Sequence, residues 1–167
     1  MSANTVRLYF PIFPSASSKA NICAAIQLSK LSGFSPIITT ASRHNEALLK
    51  SLGATHVIDR SVPLSDLGAT VKALTDKPLK VAYDTISSAD TQNAVYDTIA
   101  PGGRVIVVVP IAVDEVKIRD DKDIQQIETS PYAPQHRELS KSLYAVLTGL
   151  FEAGEIKVCS SGHAVQR

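Results

Sequence analysis

A stretch near the N-terminus carries side chains suited to hold an anion. Pro14-Ser15-Ala16-Ser17-Ser18-Lys19-Ala20-Asn21 offers the hydroxyls of Ser17 and Ser18 and the ammonium of Lys19. An apolar-periodic segment follows at once, so the free N–H groups of a helix start stand beside them. Such a start favours phosphate through its unpaired donors and its dipole. The plain alternative is that Ser17 or Ser18 only caps the helix and Lys19 is solvated. A dinucleotide turn here ordinarily reads G-x-G-x-x-G, because glycine permits the tight turn and the close approach of a pyrophosphate. No glycine precedes Gly33 in this chain, which weighs against an ordinary cofactor site.

The second group is Thr39-Thr40-Ala41-Ser42-Arg43-His44. At the end of a second strand, an acid holds the ribose hydroxyls of NAD, whereas an arginine accommodates the 2′-phosphate of NADP. No acid is present here, and Arg43 stands beside Ser42. If a dinucleotide binds, these residues favour NADP. The competing reading makes Ser42 an N-cap and Arg43 a surface charge.

Other chemistry finds little support. His44, His56, His136 and His163 have no ligand-like spacing to each other or to cysteine, so no metal is expected. Asp120, Asp121 and Asp123 lack the glycine and closing glutamate of a calcium loop. Neither a G-x-S-x-G elbow nor a Walker pattern occurs, and no residue stands out as a general acid or base. Cys23 and Cys159 are far apart in sequence, without a CxxC or Cys/His companion. They read as two small buried apolar residues in a reducing compartment.

These groups need a scaffold, and the hydrophobic pattern supplies one. Strands are expected at residues 6–13 (VRLYFPIF), 36–40, 56–58, 79–83, 105–109 and 156–159, with Pro11 awkward inside the first. Helices are expected at 20–32, 43–52, 65–75, 89–99 and 138–153. Gly33, Gly53 and Gly154 close three of them. The VIVVV run at 105–109 has no polar alternation, as in a strand covered on both faces. Residues 110–135 read as an irregular, charged excursion. The alternation predicts an α/β fold: a doubly wound, mostly parallel, six-stranded Rossmann-like sheet with helices on both faces.

Residues 1–167 are expected to form a single domain, long enough to bury roughly 70% of its unfolded surface. Apolar residues make up 44% and charged residues 20%, which excludes a disordered or low-complexity chain. The formal charge of +1 gives no footprint for nucleic acid or an anionic membrane. The N-terminus has no signal core, and no run reaches the ~18 apolar residues of a membrane span. A soluble, cytoplasmic protein is expected.

Several segments, in order and spacing, resemble the medium-chain dehydrogenase/reductase superfamily. They are 25–33 (AIQLSKLSG), 37–42 (IITTAS), 51–59 (SLGATHVID), 81–87 (VAYDTIS) and 100–104 (APGGR). The resemblance is nearest to fungal zinc-type alcohol dehydrogenase-like proteins and trans-acting enoyl reductases. It implies a Rossmann domain that binds NADPH, joined in the family to a GroES-like catalytic domain that is expected to be absent from residues 1–167. By that resemblance Ser17, Ser18 and Lys19 lie in the turn around the pyrophosphate, and Ser42 and Arg43 meet the 2′-phosphate. Ile86 and Ser87 lie near a ribose, and Val109 and Pro110 near the nicotinamide. Where the family has a Gly- and Ser-rich turn, this chain has Ser15-Ala16 before the serines and Asn21-Ile22 after Lys19. Ile22 is expected to crowd a phosphate or push helix from strand. Arg60 stands where many relatives have tyrosine and could replace a lost phosphate contact.

Two readings follow. One is the NADP(H)-binding domain of an enoyl or quinone reductase-like oxidoreductase, not competent alone. The other is a non-catalytic binding or structural module with a degenerate cofactor site. Either is expected to pair as a homodimer through an edge strand at Ile156 to Cys159, as family members do.

Overall fold

The computed structural model describes residues 6–10, 16–127 and 134–159, with the side chains of 21–127, 134 and 136–159. Expectations for Pro11, Pro14, Ser15 and His163 lie outside the described residues. Branched and apolar runs form the strands β1 (Val6–Phe10), β2 (Ile37–Ala41), β3 (His56–Asp59), β4 (Leu79–Asp84) and β5 (Arg104–Val107). A further strand, β6, covers Asp123–Gln126. The strands pair in parallel in the order β3-β2-β1-β4-β5-β6.

The helices are α1 (Ala16–Leu31), α2 (Glu46–Leu52), α3 (Leu67–Leu74), α4 (Ala89–Thr98) and α5 (Arg137–Glu152). Alternate residues of the strands feed two apolar layers, as a pleated strand requires. Ile37 and Val57 pack with Ile22, Cys23 and Ile26 of α1 and Leu49 and Leu52 of α2. Ile38 and Ile58 pack with Leu67 and Val71 of α3 and Val95, Tyr96 and Ile99 of α4. The chain is therefore an α/β protein with helices over both faces of a parallel sheet.

Several expectations are corrected. The excursion at 110–135 contains β6, which pairs Ile124 with Val105 and Gln126 with Val107. Its sequence, DIQQ, has no apolar run, because it is a largely exposed edge with one half-buried isoleucine. Conversely, Ile156–Cys159 is not a strand. That segment lies against α1, where the Gln27 side chain donates to Lys157 O at 3.1 Å and accepts from Lys157 N–H at 2.7 Å. One buried amide thus engages Lys157 as a strand neighbour would. The cysteines are not separate either: Cys23 and Cys159 form a disulfide with Cα atoms 6.3 Å apart. Their 136-residue separation hid the pairing, and the bond removes the reason for inferring a reducing compartment. No helix among the described residues is long and apolar enough to cross a membrane.

Candidate functional site at the carboxyl edge of the sheet

Parallel pairing brings the carboxyl ends of all the strands to one edge. From β1 the chain winds one way to β2, while β4 lies on the other side of β1. The order reverses there, and a crevice at such a reversal is where open α/β sheets take ligands. α1 begins at Ala16, four residues ahead of the expected Ala20. Ser17, Ser18 and Lys19 therefore belong to its first turn, whose N–H groups have no partner within the helix; their side chains lie outside the described set. Without glycine, the sequence continues as helix rather than as an open loop. The early start also changes Ile22. It sits about 9 Å along the axis from the helix start and is wholly buried with Ile26 and Ile37. It fills the core and does not crowd the turn.

After β2, Ser42 is extended and makes no side-chain cap to the single 3-10 turn at Arg43–Asn45. The expected cap is replaced by a backbone bond, Asn45 N–H to Ser42 O at 2.9 Å. Arg43 Nε donates to Asp59 Oδ2 at 2.8 Å, and the arginine side chain is otherwise almost fully exposed. Asp59 closes β3 and is held well below the usual carboxylate range, at about 2. The Ser61 N–H and then the Ser61 hydroxyl are the main causes, with Arg43 third. Both Ser61 groups reach Asp59 Oδ1, at 2.9 and 2.8 Å. Arg60 is exposed and has no ion pair among the described residues; its N–H joins β3 to Ala41 O of β2 at 3.0 Å.

The loops after β4 and β5 are built differently. Asp84 is fully buried and accepts from Ile86 N–H (2.9 Å), Ser87 N–H (2.8 Å) and the Thr91 hydroxyl (2.8 Å). Burial pushes its carboxyl up, and these three bonds oppose that shift. Ser87 adopts a φ of +54°, a left-handed conformation costly for a residue with a Cβ. It is held there by its hydroxyl, which donates to Asp84 O at 2.5 Å and accepts from Val108 N–H at 3.2 Å. Ser88 caps α4 by accepting from Thr91 N–H at 3.3 Å. Val109 and Pro110 follow β5 with exposed side chains.

The sheet edge thus gathers the expected residues into two groups. Ser42, Arg43 and Arg60 lie at the ends of β2 and β3, while Ile86, Ser87, Val109 and Pro110 lie at the ends of β4 and β5. Sequence reasoning missed Asp59, Asp84, Thr91 and Gln92. An aspartate ending an apolar strand, followed by the Ser88-x-x-Thr91 cap pattern, was the available signal for Asp84 and Thr91. Gln92 carried none.

A family model described as zinc-binding dehydrogenase matches residues 23–125. The chain is 37% identical over 102 residues to a trans-enoyl reductase of Hapsidospora irregularis, covering 58% of this chain and 26% of that protein. It is 28% identical over 170 residues to a trans-enoyl reductase of Penicillium oxalicum, covering 93% of this chain and 45% of that protein. The chain spans less than half the length of these relatives. Among solved structures, a quinone oxidoreductase of Pseudomonas syringae superposes with a TM-score of 0.74 at 25% identity, covering 95% of this chain and 48% of that one. A mutant enoyl thioester reductase of Candida tropicalis superposes with a TM-score of 0.73 at 18% identity, covering 98% and 48%; that likeness concerns the fold. Among the described residues no group of three or more His, Cys, Asp or Glu could hold a metal, and both cysteines are spent in the disulfide.

Proposed function

We propose, for a chain that belongs to the zinc-binding dehydrogenase family within the medium-chain dehydrogenase/reductase superfamily, that it binds NADP(H) along the carboxyl edge of its sheet. In this reading it is the cofactor-binding part of an enoyl or quinone reductase-type oxidoreductase, and its substrate is held by groups beyond residues 1–167. The bound nicotinamide would supply the hydride. Ser17, Ser18, Lys19 and the first turn of α1 would receive the pyrophosphate. Ser42, Arg43 and Arg60 would face the 2′-phosphate. The backbone at Ile86, Ser87, Val109 and Pro110 would line the nicotinamide half.

Arg43 carries this reading. It follows β2 where an NAD-binding domain would place an acid, and among the described residues only its Nε is engaged, by Asp59. The terminal guanidinium nitrogens are geometrically suited to a phosphate. The Ser61 N–H and hydroxyl also hold Asp59, and an exposed ion pair is worth little, so Arg43 can turn to a phosphate at little cost. The same ion pair favours a second reading, a non-catalytic module whose anion site has closed on an internal carboxylate.

Titration of the purified chain with NADPH, followed by nicotinamide fluorescence with NADH as control, separates the two. Saturable binding that prefers NADPH supports the first. No binding at millimolar cofactor by folded protein supports the second. A homodimer remains part of the proposal, without the edge at Ile156–Cys159; a sedimentation mass of one chain at micromolar concentration would remove it.

A further inference from the structure

Gln92 is a fully buried polar side chain on α4. Its Nε2 donates to Ser87 O at 3.0 Å and to Pro110 O at 3.1 Å, and its Oε1 accepts from Ala112 N–H at 2.8 Å. Both amide hydrogens and the oxygen are used, each by backbone. The partners belong to the loop after β4 and the loop after β5. On the β4 side it grips the one described non-glycine residue with positive φ, Ser87, which already bonds Asp84 and Val108. On the β5 side the apolar anchor is thin: Val109 and Ile111 are exposed, and Val113 is the first buried side chain after the strand. The path of 110–112 is therefore set by this amide rather than by packing. A buried network with every group satisfied fixes a single geometry, and loss of one member leaves the others unpaired.

We infer that Gln92 is a positioning residue, whose amide locks Ser87 of one loop to Pro110 and Ala112 of the other and so sets the width of the nicotinamide end of the crevice. This rests on the proposed NADP(H) reading, since only then do these two loops face a ligand. Gln92 itself touches no ligand. It acts through the backbone of 87 and 110–112, and adenosine binding at the far end of the edge does not depend on it.

The test uses the full chain, wild type and Gln92→Leu, with two probes: NADPH, and adenosine 2′,5′-bisphosphate, which lacks the nicotinamide half. Gln92→Leu is expected to weaken NADPH at least about tenfold and to abolish the shift in nicotinamide emission, while adenosine 2′,5′-bisphosphate stays within about twofold. Equal loss of both probes would mean a merely structural role, and unchanged NADPH binding would mean no role; either overturns the inference. If Gln92→Leu does not fold, the Gln92 side-chain amide of the wild type is followed by NMR. Slow exchange, with a shift on adding NADPH but not the bisphosphate, is the expected result. Free exchange, or no shift on NADPH, overturns it. A wild type that binds no NADPH yet keeps a protected Gln92 amide overturns the functional reading, and the nicotinamide role with it. An unprotected amide disproves the lock itself, whatever binds.

Discussion

The two ends of the carboxyl edge solve the problem of placing polar groups in opposite ways. At β4 and β5, Asp84, Ser87, Thr91 and Gln92 are buried, and each side chain has its partners inside the protein. At β2 and β3, Arg43 projects into solvent and Asp59 is the only ion partner it has among the described residues. Desolvation makes the first group costly to disturb and geometrically unique. Screening makes the second cheap to rearrange. In the proposed reading, an edge with one rigid end and one exchangeable end would suit a ligand with a planar ring at one end and a mobile charged group at the other.

Variants should separate the ends by magnitude. Asp84→Ala strands two N–H groups and a hydroxyl in a buried site, so urea unfolding should show a loss of about 3 kcal/mol. A loss below about 1 kcal/mol would put the β4 end in the same class as the surface and erase the contrast. Ser87→Ala keeps the left-handed φ but removes both hydroxyl bonds; a loss of about 1.5 kcal/mol is expected in the same measurement. Arg43→Ala should leave unfolding within about 0.5 kcal/mol of wild type. It should weaken NADPH about tenfold, with NADH unchanged. A change in stability without a change in cofactor preference would invert the assignment.

Acid should move the two ends in opposite directions. The folded-state pKa of Asp84 lies above its unfolded value, so its charged form opposes folding. That penalty is relieved as pH falls through the raised value. Asp59 is depressed to about 2, so its contribution is present above the ordinary carboxylate range and fades only toward pH 2. Between neutrality and about pH 4, wild type should therefore gain stability relative to Asp84→Asn. A gap that stays constant over that window would contradict the burial assigned to Asp84. The smallest effect concerns Asp59 in Arg43→Ala. Its carboxyl, followed by NMR, should stay below the ordinary value, because both Ser61 donors remain.

What could be read from the sequence divides along the same physical line. Apolar runs such as IITT announce strands, and the strand-helix alternation announces a parallel sheet; the VIVVV run announces β5 but overstates it, since the strand ends at Val107 and Val109 is exposed. Arg43 and Ser87 were legible as residues following strands. Features made by polar side chains reaching across the fold were not. β6 is an exposed edge and carries no apolar signature. Gln27 and Gln92 each replace backbone pairing with a side-chain amide, and nothing in their neighbours marks them for it. Ser42 was expected to cap a helix because of its type, but the chain there makes one 3-10 turn closed by backbone. The early start of α1 follows from the missing glycine, and with it Ile22 becomes a core residue rather than an obstacle.

The most direct measurement is a 15N-resolved NMR titration of the whole chain with NADPH. Binding along the whole edge predicts saturable shifts at both ends together, at residues 41–43 and at 86–88 with 109–112, while α5 stays unmoved. Adenosine 2′,5′-bisphosphate should move only the first set. No shifts at millimolar NADPH, or shifts confined to residues away from the carboxyl edge, would contradict the account.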